Sequence, residues 1–202
     1  SGDSSPNTSN AQMKQLGTDL LCATDRSLWK FDDTGDYWCL QKGFGAAITG
    51  MEIFENRVYV AFGASTAYQY SNAGDPTSWT TASGGSTYQP RAIRLSKGLN
   101  SSGVWCLVKN TDDKSIHFGT DGTDPTTWGA ALTTGADDFS ITQLYQLDGA
   151  IGVAKEDGMY RYLAPTNNMF ANVYPAAEHM PSTDNFSRGI MFNGSFYTVL
   201  GE

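Results

Sequence analysis

The chain has little charge, and what it has is one-sided. Charged residues make up 17% of its 202, and 21 acids against 13 bases leave a net charge of −8. No Lys/Arg cluster interrupts that balance, so phosphate backbones are repelled and nucleic acid is not an expected partner. The uncharged apolar runs are too short to form a membrane-spanning helix. Histidine is almost missing. His117 and His179 are the only two, and neither sits in a His/Cys/Asp pattern with metal spacing. There is no Cys-x-x-Cys, no Gly-rich phosphate loop and no nucleophile elbow. Asp112-Asp113 and Asp137-Asp138 lack the oxygen-rich flanks of a calcium loop. The expectation is therefore no metal, no cofactor and no catalytic residues.

Cysteine is scarce as well. The three, Cys22, Cys39 and Cys106, are an odd count, which argues against a full disulfide framework. Cys22 and Cys106 stand at matching strand positions and read as small buried apolar side chains. A Cys22–Cys39 bridge is the alternative.

What the chain does have is a repeat. Asp75-Pro76-Thr77-Ser78-Trp79 returns as Asp124-Pro125-Thr126-Thr127-Trp128, and the strand-rich run 48–63 returns as 141–155. A period of about 45 residues with several strands in each period is the mark of a β-propeller blade. Four periods each give four short strands. The first takes 11–16, 19–23, 27–32 and 37–41; the second takes 51–54, 57–62, 67–70 and 78–82. The third takes 92–95, 103–108, 115–118 and 127–132; the fourth takes 142–147, 150–154, 159–163 and 169–173. A terminal hairpin follows, 189–192 and 195–200, around Asn193-Gly194.

The second strand of each period is apolar almost throughout, as in Val58-Tyr59-Val60-Ala61-Phe62. A sheet with one wet face alternates, so these strands are covered on both faces. The fold class expected is all-β: a propeller of four-stranded antiparallel blades, four full blades plus the hairpin, over residues 11–202. Residues 1–10 hold no large apolar side chain and read as a flexible N-terminal arm. Half a blade at one end implies a longer array or completion by another chain. A small ring, closed by the hairpin against the first repeat, is the alternative.

Asp33-Thr34-Gly35-Asp36-Tyr37-Trp38 resembles the Asp-box of sialidase-like propellers. Phe31 and Tyr37 replace its Ser and Thr. The resemblance implies structural turns: Asp33 accepting backbone N–H bonds, Gly35 left-handed, and Trp38 between blades. Asp75 with Trp79, and Asp124 with Trp128, take those places in the next two repeats, and Phe170 fills the Trp slot of the fourth. A second resemblance rests on Leu147–Tyr162, Phe54–Val60 and Phe192–Tyr197. It is to uncharacterised propeller proteins of phage and environmental genomes, and it implies a virion-associated or surface-exposed structural role.

Arg91 and Arg188 precede the first strands of the third repeat and of the hairpin. Gln143 holds the same place in the fourth, so the three are candidate ligand-binding residues at a central opening. Ordinary strand-edge arginines are the competing reading. A third arginine at a matching place and a marked Tyr/Glu pair, which a sialidase requires, are missing. The functional expectation is a non-catalytic structural or binding propeller in a virion or extracellular assembly, with other protein subunits as partners. A glycan-processing or glycan-binding propeller is the alternative.

Overall fold

The computed structural model describes residues 11–63, 68–82, 93–97, 104–109, 114–118, 130–147, 150–162, 170–174, 189–193 and 195–198. Eighteen strands run through them. The chain divides into two compact units, Ser1–Ile93 and Arg94–Glu202.

The first unit holds two sheets. β1 (Gln12–Leu16), β2 (Asp19–Thr24), β3 (Ser27–Asp32) and β4 (Tyr37–Gly43) pair in that order. So do β5 (Gly50–Phe54), β6 (Arg57–Ala61), β7 (Gln69–Asn72) and β8 (Asp75–Thr81). Every pairing is antiparallel. The sheets stack on one apolar cluster: Leu16, Leu21, Ala23 and Leu28 from the first meet Met51, Val58 and Val60 from the second, with Phe44, Ile48 and Phe62 between. Each large apolar side chain removed from water contributes about 1.5–3 kcal/mol. β6 is buried from Val58 to Ala61, which is the double cover its uninterrupted apolarity demands.

The first strands of the two sheets lie side by side and are tied by polar bonds. The Met51 N–H donates to Gln12 Oε1 at 2.8 Å, and Lys14 Nζ pairs with the buried Glu52 carboxylate at 3.2 Å. The Glu55-Asn56 turn takes φ of 44° and 60°, the twin positive values of a tight hairpin. Gly74, at φ 70°, donates its N–H to the Asn56 carbonyl at 2.7 Å. A Cβ there would press on the Asn56 side chain at 3.1 Å, so this position needs glycine twice over.

The second unit, entered at the second residue of β9 (Ile93–Lys97), holds β9, β10 (Val104–Lys109), β11 (Ser115–Phe118) and β12 (Leu132–Thr133) as one four-stranded sheet. β13 (Ile141–Leu147), β14 (Ala150–Lys155), β15 (Gly158–Tyr162) and β16 (Phe170–Tyr174) form another. β17 (Gly189–Phe192) and β18 (Ser195–Thr198) make a two-stranded sheet. Gly152 faces Tyr145 across β13 and β14, and a Cβ there would collide with the tyrosine ring. The glycine therefore makes room for an aromatic laid over its backbone.

Three expectations need correction. The outer strand of the third sheet is described at Leu132–Thr133; of the expected 127–132, residues 130 and 131 are not in the strand and 127–129 lie outside the described residues. Asp75-Pro76-Thr77 form a bulged Asx turn at the start of β8, not the reversal between β7 and β8. The reversal is Ala73-Gly74, and the strand opens at Asp75. Proline is tolerated there because β8 is an edge strand. A Cys22–Cys39 bridge does not form: both thiols are free, since β3 lies between their strands.

Trp79 lies half-buried against the core, edge-on to Phe44 at 5.0 Å and 89°. Its indole N–H donates to the Pro76 carbonyl at 2.7 Å. Trp79→Ala removes both contacts and should destabilise the chain by about 3 kcal/mol. Trp79→Phe, which keeps the ring contact, should lose less than half of that in chemical denaturation.

Candidate functional site

The turn between β3 and β4 is built from its residues upward. The acceptor is the Asp32 carboxylate, which takes the N–H groups of Thr34 at 3.0 Å and Gly35 at 3.3 Å. These bonds hold its pKa below the usual carboxylate range, those from Gly35 and then Thr34 most of all. Asp33, the residue expected in this role, is exposed beside it. The left-handed residue is Asp36, at φ 55°, where a short polar side chain is tolerated. Gly35 serves a different purpose, because the Tyr37 ring lies where its Cβ would be. Tyr37 in turn bonds Asp32, which raises the tyrosine's pKa.

Trp38 is half-buried, tilted on Phe31 at 5.3 Å. Asp75 repeats the device, accepting the N–H of Thr77 at 2.9 Å and its hydroxyl at 2.6 Å. Its pKa is held down by that hydroxyl first and the N–H second. Asp124 and Trp128 lie outside the described residues, and Phe170 is placed in β16 by its backbone.

Beside the Asp32 turn runs a groove of about 480 Å³ on the first sheet, lined by Asp19, Lys30, Asp32, Asp33, Cys39 and Gln41 among others. Lys30 Nζ pairs with Asp19 Oδ2 at 2.9 Å across it. One lysine against three carboxylates leaves the lip acidic. A groove of this size and polarity can seat a small polar ligand by hydrogen bonds. No histidine or paired base lines it.

Of the expected ligand residues, Arg91 and Arg188 lie outside the described residues. Gln143 stands half-buried in β13, opposite Ala154, where an extra residue bulges the strand at Thr142. Bulges re-aim side chains, so Gln143 is set out of simple alternation.

A polar cluster that the sequence does not announce lies in the second unit. Lys155 is fully buried. Its Nζ donates to the carbonyls of Thr134 and Ala136, both at 2.6 Å. Asp157 Oδ2 accepts the Ala136 N–H at 3.2 Å and the Tyr160 hydroxyl at 2.9 Å. Gly135, at φ 65°, leaves room for Tyr160, whose ring lies where a Cβ would be. Burial lowers the Lys155 pKa, and Asp157 partly opposes it. Burial also raises Tyr145 and Tyr160. A lysine at the end of an apolar strand reads as an exposed turn residue, which is why this cluster is silent in the sequence. Its bonds go to main chain, so it fastens the segment before β13. Among the described residues no group of three or more His, Cys, Asp or Glu could hold a metal, and no helix is long and apolar enough to cross a membrane.

Neither a family model nor a curated protein matches the chain. Solved structures do. The extracellular domain of the putative one component system BT4673 from B. thetaiotaomicron matches with TM-score 0.64 and 11% identity, over 99% of this chain and 27% of that one. PorZ, an essential bacterial surface component of the type-IX secretion system of Porphyromonas gingivalis, matches with TM-score 0.56 and 16% identity. That likeness covers 85% of this chain and 23% of PorZ. YCF48 from Cyanidioschyzon merolae matches with TM-score 0.52 and 12% identity, over 80% of this chain and 57% of that one. The fold is propeller-type. The chain spans about a quarter of the first structures it matches, and identities this low carry fold alone.

Lys155→Met should destabilise the protein by about 3 kcal/mol, because two charge-assisted bonds to carbonyls are lost. The lowered lysine pKa means that the unfolded chain binds more protons than the native one, from the native pKa up to about pH 10.4. Lys155 therefore adds a rise in stability as pH increases through its native pKa. Urea titrations across the alkaline range should show that rise in the native protein and not in the variant.

Proposed function

We propose that this chain is a non-catalytic binding domain of an extracellular or surface assembly, with protein as its partner. The observation that carries the reading is how the described buried charges are used. Glu52 ties β5 to β1 through Lys14. Lys155 and Asp157 hold the main chain of residues 134–136. These groups are engaged in fastening sheets and loops, where a reaction would need them free. The structural neighbours add support: they are an extracellular domain of a putative one component system and a secretion-system surface component. A cell surface is favoured over a virion because those neighbours are cellular.

Within this reading, Arg91, Gln143 and Arg188 are the residues assigned to a ligand, an acidic side chain of the partner. Asp32, Gly35, Trp38, Asp75 and Trp79 serve the turns, and Asp124 and Trp128 are assigned the same role. Glycan processing is the rival, resting on the likeness of those turns to the Asp-box.

Two measurements separate the readings. Antibodies to the domain should label intact cells of the source organism. Labelling that requires permeabilisation contradicts the extracellular assignment. Purified protein should hydrolyse a fluorogenic sialoside no faster than buffer. Turnover that disappears in the Arg91→Ala/Arg188→Ala double variant would establish the rival reading.

A further inference from the structure

The buried cluster around Lys155 has hydrogen-bonding capacity that its own bonds do not use. Lys155 is 0% exposed, Thr134 5% and Asp157 6%. An ammonium carries three N–H donors, and a carboxylate accepts on both oxygens. Lys155 Nζ spends two donors, on the carbonyls of Thr134 and Ala136. Asp157 accepts the Ala136 N–H and the Tyr160 hydroxyl, and both bonds go to Oδ2. Its Oδ1 is buried without a donor, and Thr134 Oγ1 is buried without a partner. Leaving a carboxylate oxygen in the interior with no donor is costly.

These groups converge on one short segment. Ala136 takes the lysine on its carbonyl and offers its N–H to the aspartate, so the two charges flank a single residue. Thr134 holds the lysine on its own carbonyl. The charges sense each other, since Asp157 favours the protonated lysine. They nevertheless make no direct ion pair, so Nζ and the carboxylate oxygens stand more than 4.0 Å apart. Opposite charges away from solvent attract strongly and close to contact unless something separates them. Two hydrogen bonds through one shared oxygen span roughly 4–5.5 Å.

We infer that a single water molecule binds between Lys155 Nζ and Asp157 Oδ1 as an integral part of the fold. It accepts the third lysine N–H and donates one proton to Oδ1 and the other to Thr134 Oγ1. Three bonds are the usual number for a buried water. The chemistry selects water over an ion. A cation there meets the lysine and an anion meets the aspartate, so neither is held. Among the described residues no group of three or more His, Cys, Asp or Glu suits a metal. The Tyr160 ring, laid where a Gly135 Cβ would be, helps to close the site. Release requires the 134–136 segment to lift from Lys155, so this water should reside far longer than surface hydration does. Nothing at this site depends on what the domain binds.

A crystal structure of the native protein, at a resolution that places waters, tests the inference. An ordered oxygen within about 3.2 Å of both Nζ and Oδ1 is expected. Direct contact between Lys155 and Asp157, or no ordered oxygen between them, would overturn it. In solution, the Ala136 amide should show a water cross-peak in nuclear Overhauser spectra, with the sign that marks a residence beyond nanoseconds. The Thr134 and Tyr160 hydroxyls can relay such a signal by proton exchange. Thr134→Val and Tyr160→Phe each remove one relay and leave the two charges that hold the water. The cross-peak should persist in both variants. Its absence from the native protein, or its loss in either variant, would overturn the inference.

Discussion

The interface between the first two sheets is the constraint on which the rest of the first unit depends. A four-stranded sheet of strands this short cannot bury its own apolar side chains. β6 is apolar on both faces, so it is stable only with a layer on each side. Leu16, Leu21, Ala23 and Leu28 supply one such layer. The polar bonds from Gln12 and Lys14 to the neighbouring strand then fix its register. The edge-on Phe44–Trp79 contact closes the outer side.

The fold is legible in the sequence because its signals are local and repeated. Apolar second strands, the Glu55-Asn56 and Asn193-Gly194 turns and the spacing of the Asp–Trp segments all point to four-stranded sheets. The described strands agree to within a few residues at nearly every boundary. The departures have physical causes. Asp75-Pro76 looks like a turn by composition, yet an edge strand accepts proline and Ala73-Gly74 makes the reversal. Asp33 and Asp32 differ by one position, and only backbone geometry selects which carboxylate faces the two N–H groups.

The site is far less legible. Strand counting finds Gln143 but not the bulge beside it. Lys155 and Asp157 look like turn residues until the segment 134–136 is seen folded over them. Burial of a charge depends on which distant backbone covers it, and no periodicity records that.

The central claim is that stability resides in second strands clamped between sheets, with outer strands added to them. Hydrogen–deuterium exchange of the native protein, followed residue by residue, tests this directly. The amides of Val58–Ala61 in β6, with those of Cys22 and Ala23 in β2, should exchange slowest and at one common rate. Those of β4 and β8 should exchange much faster. Equal protection across all four strands, or outer strands slower than β6, would contradict the account.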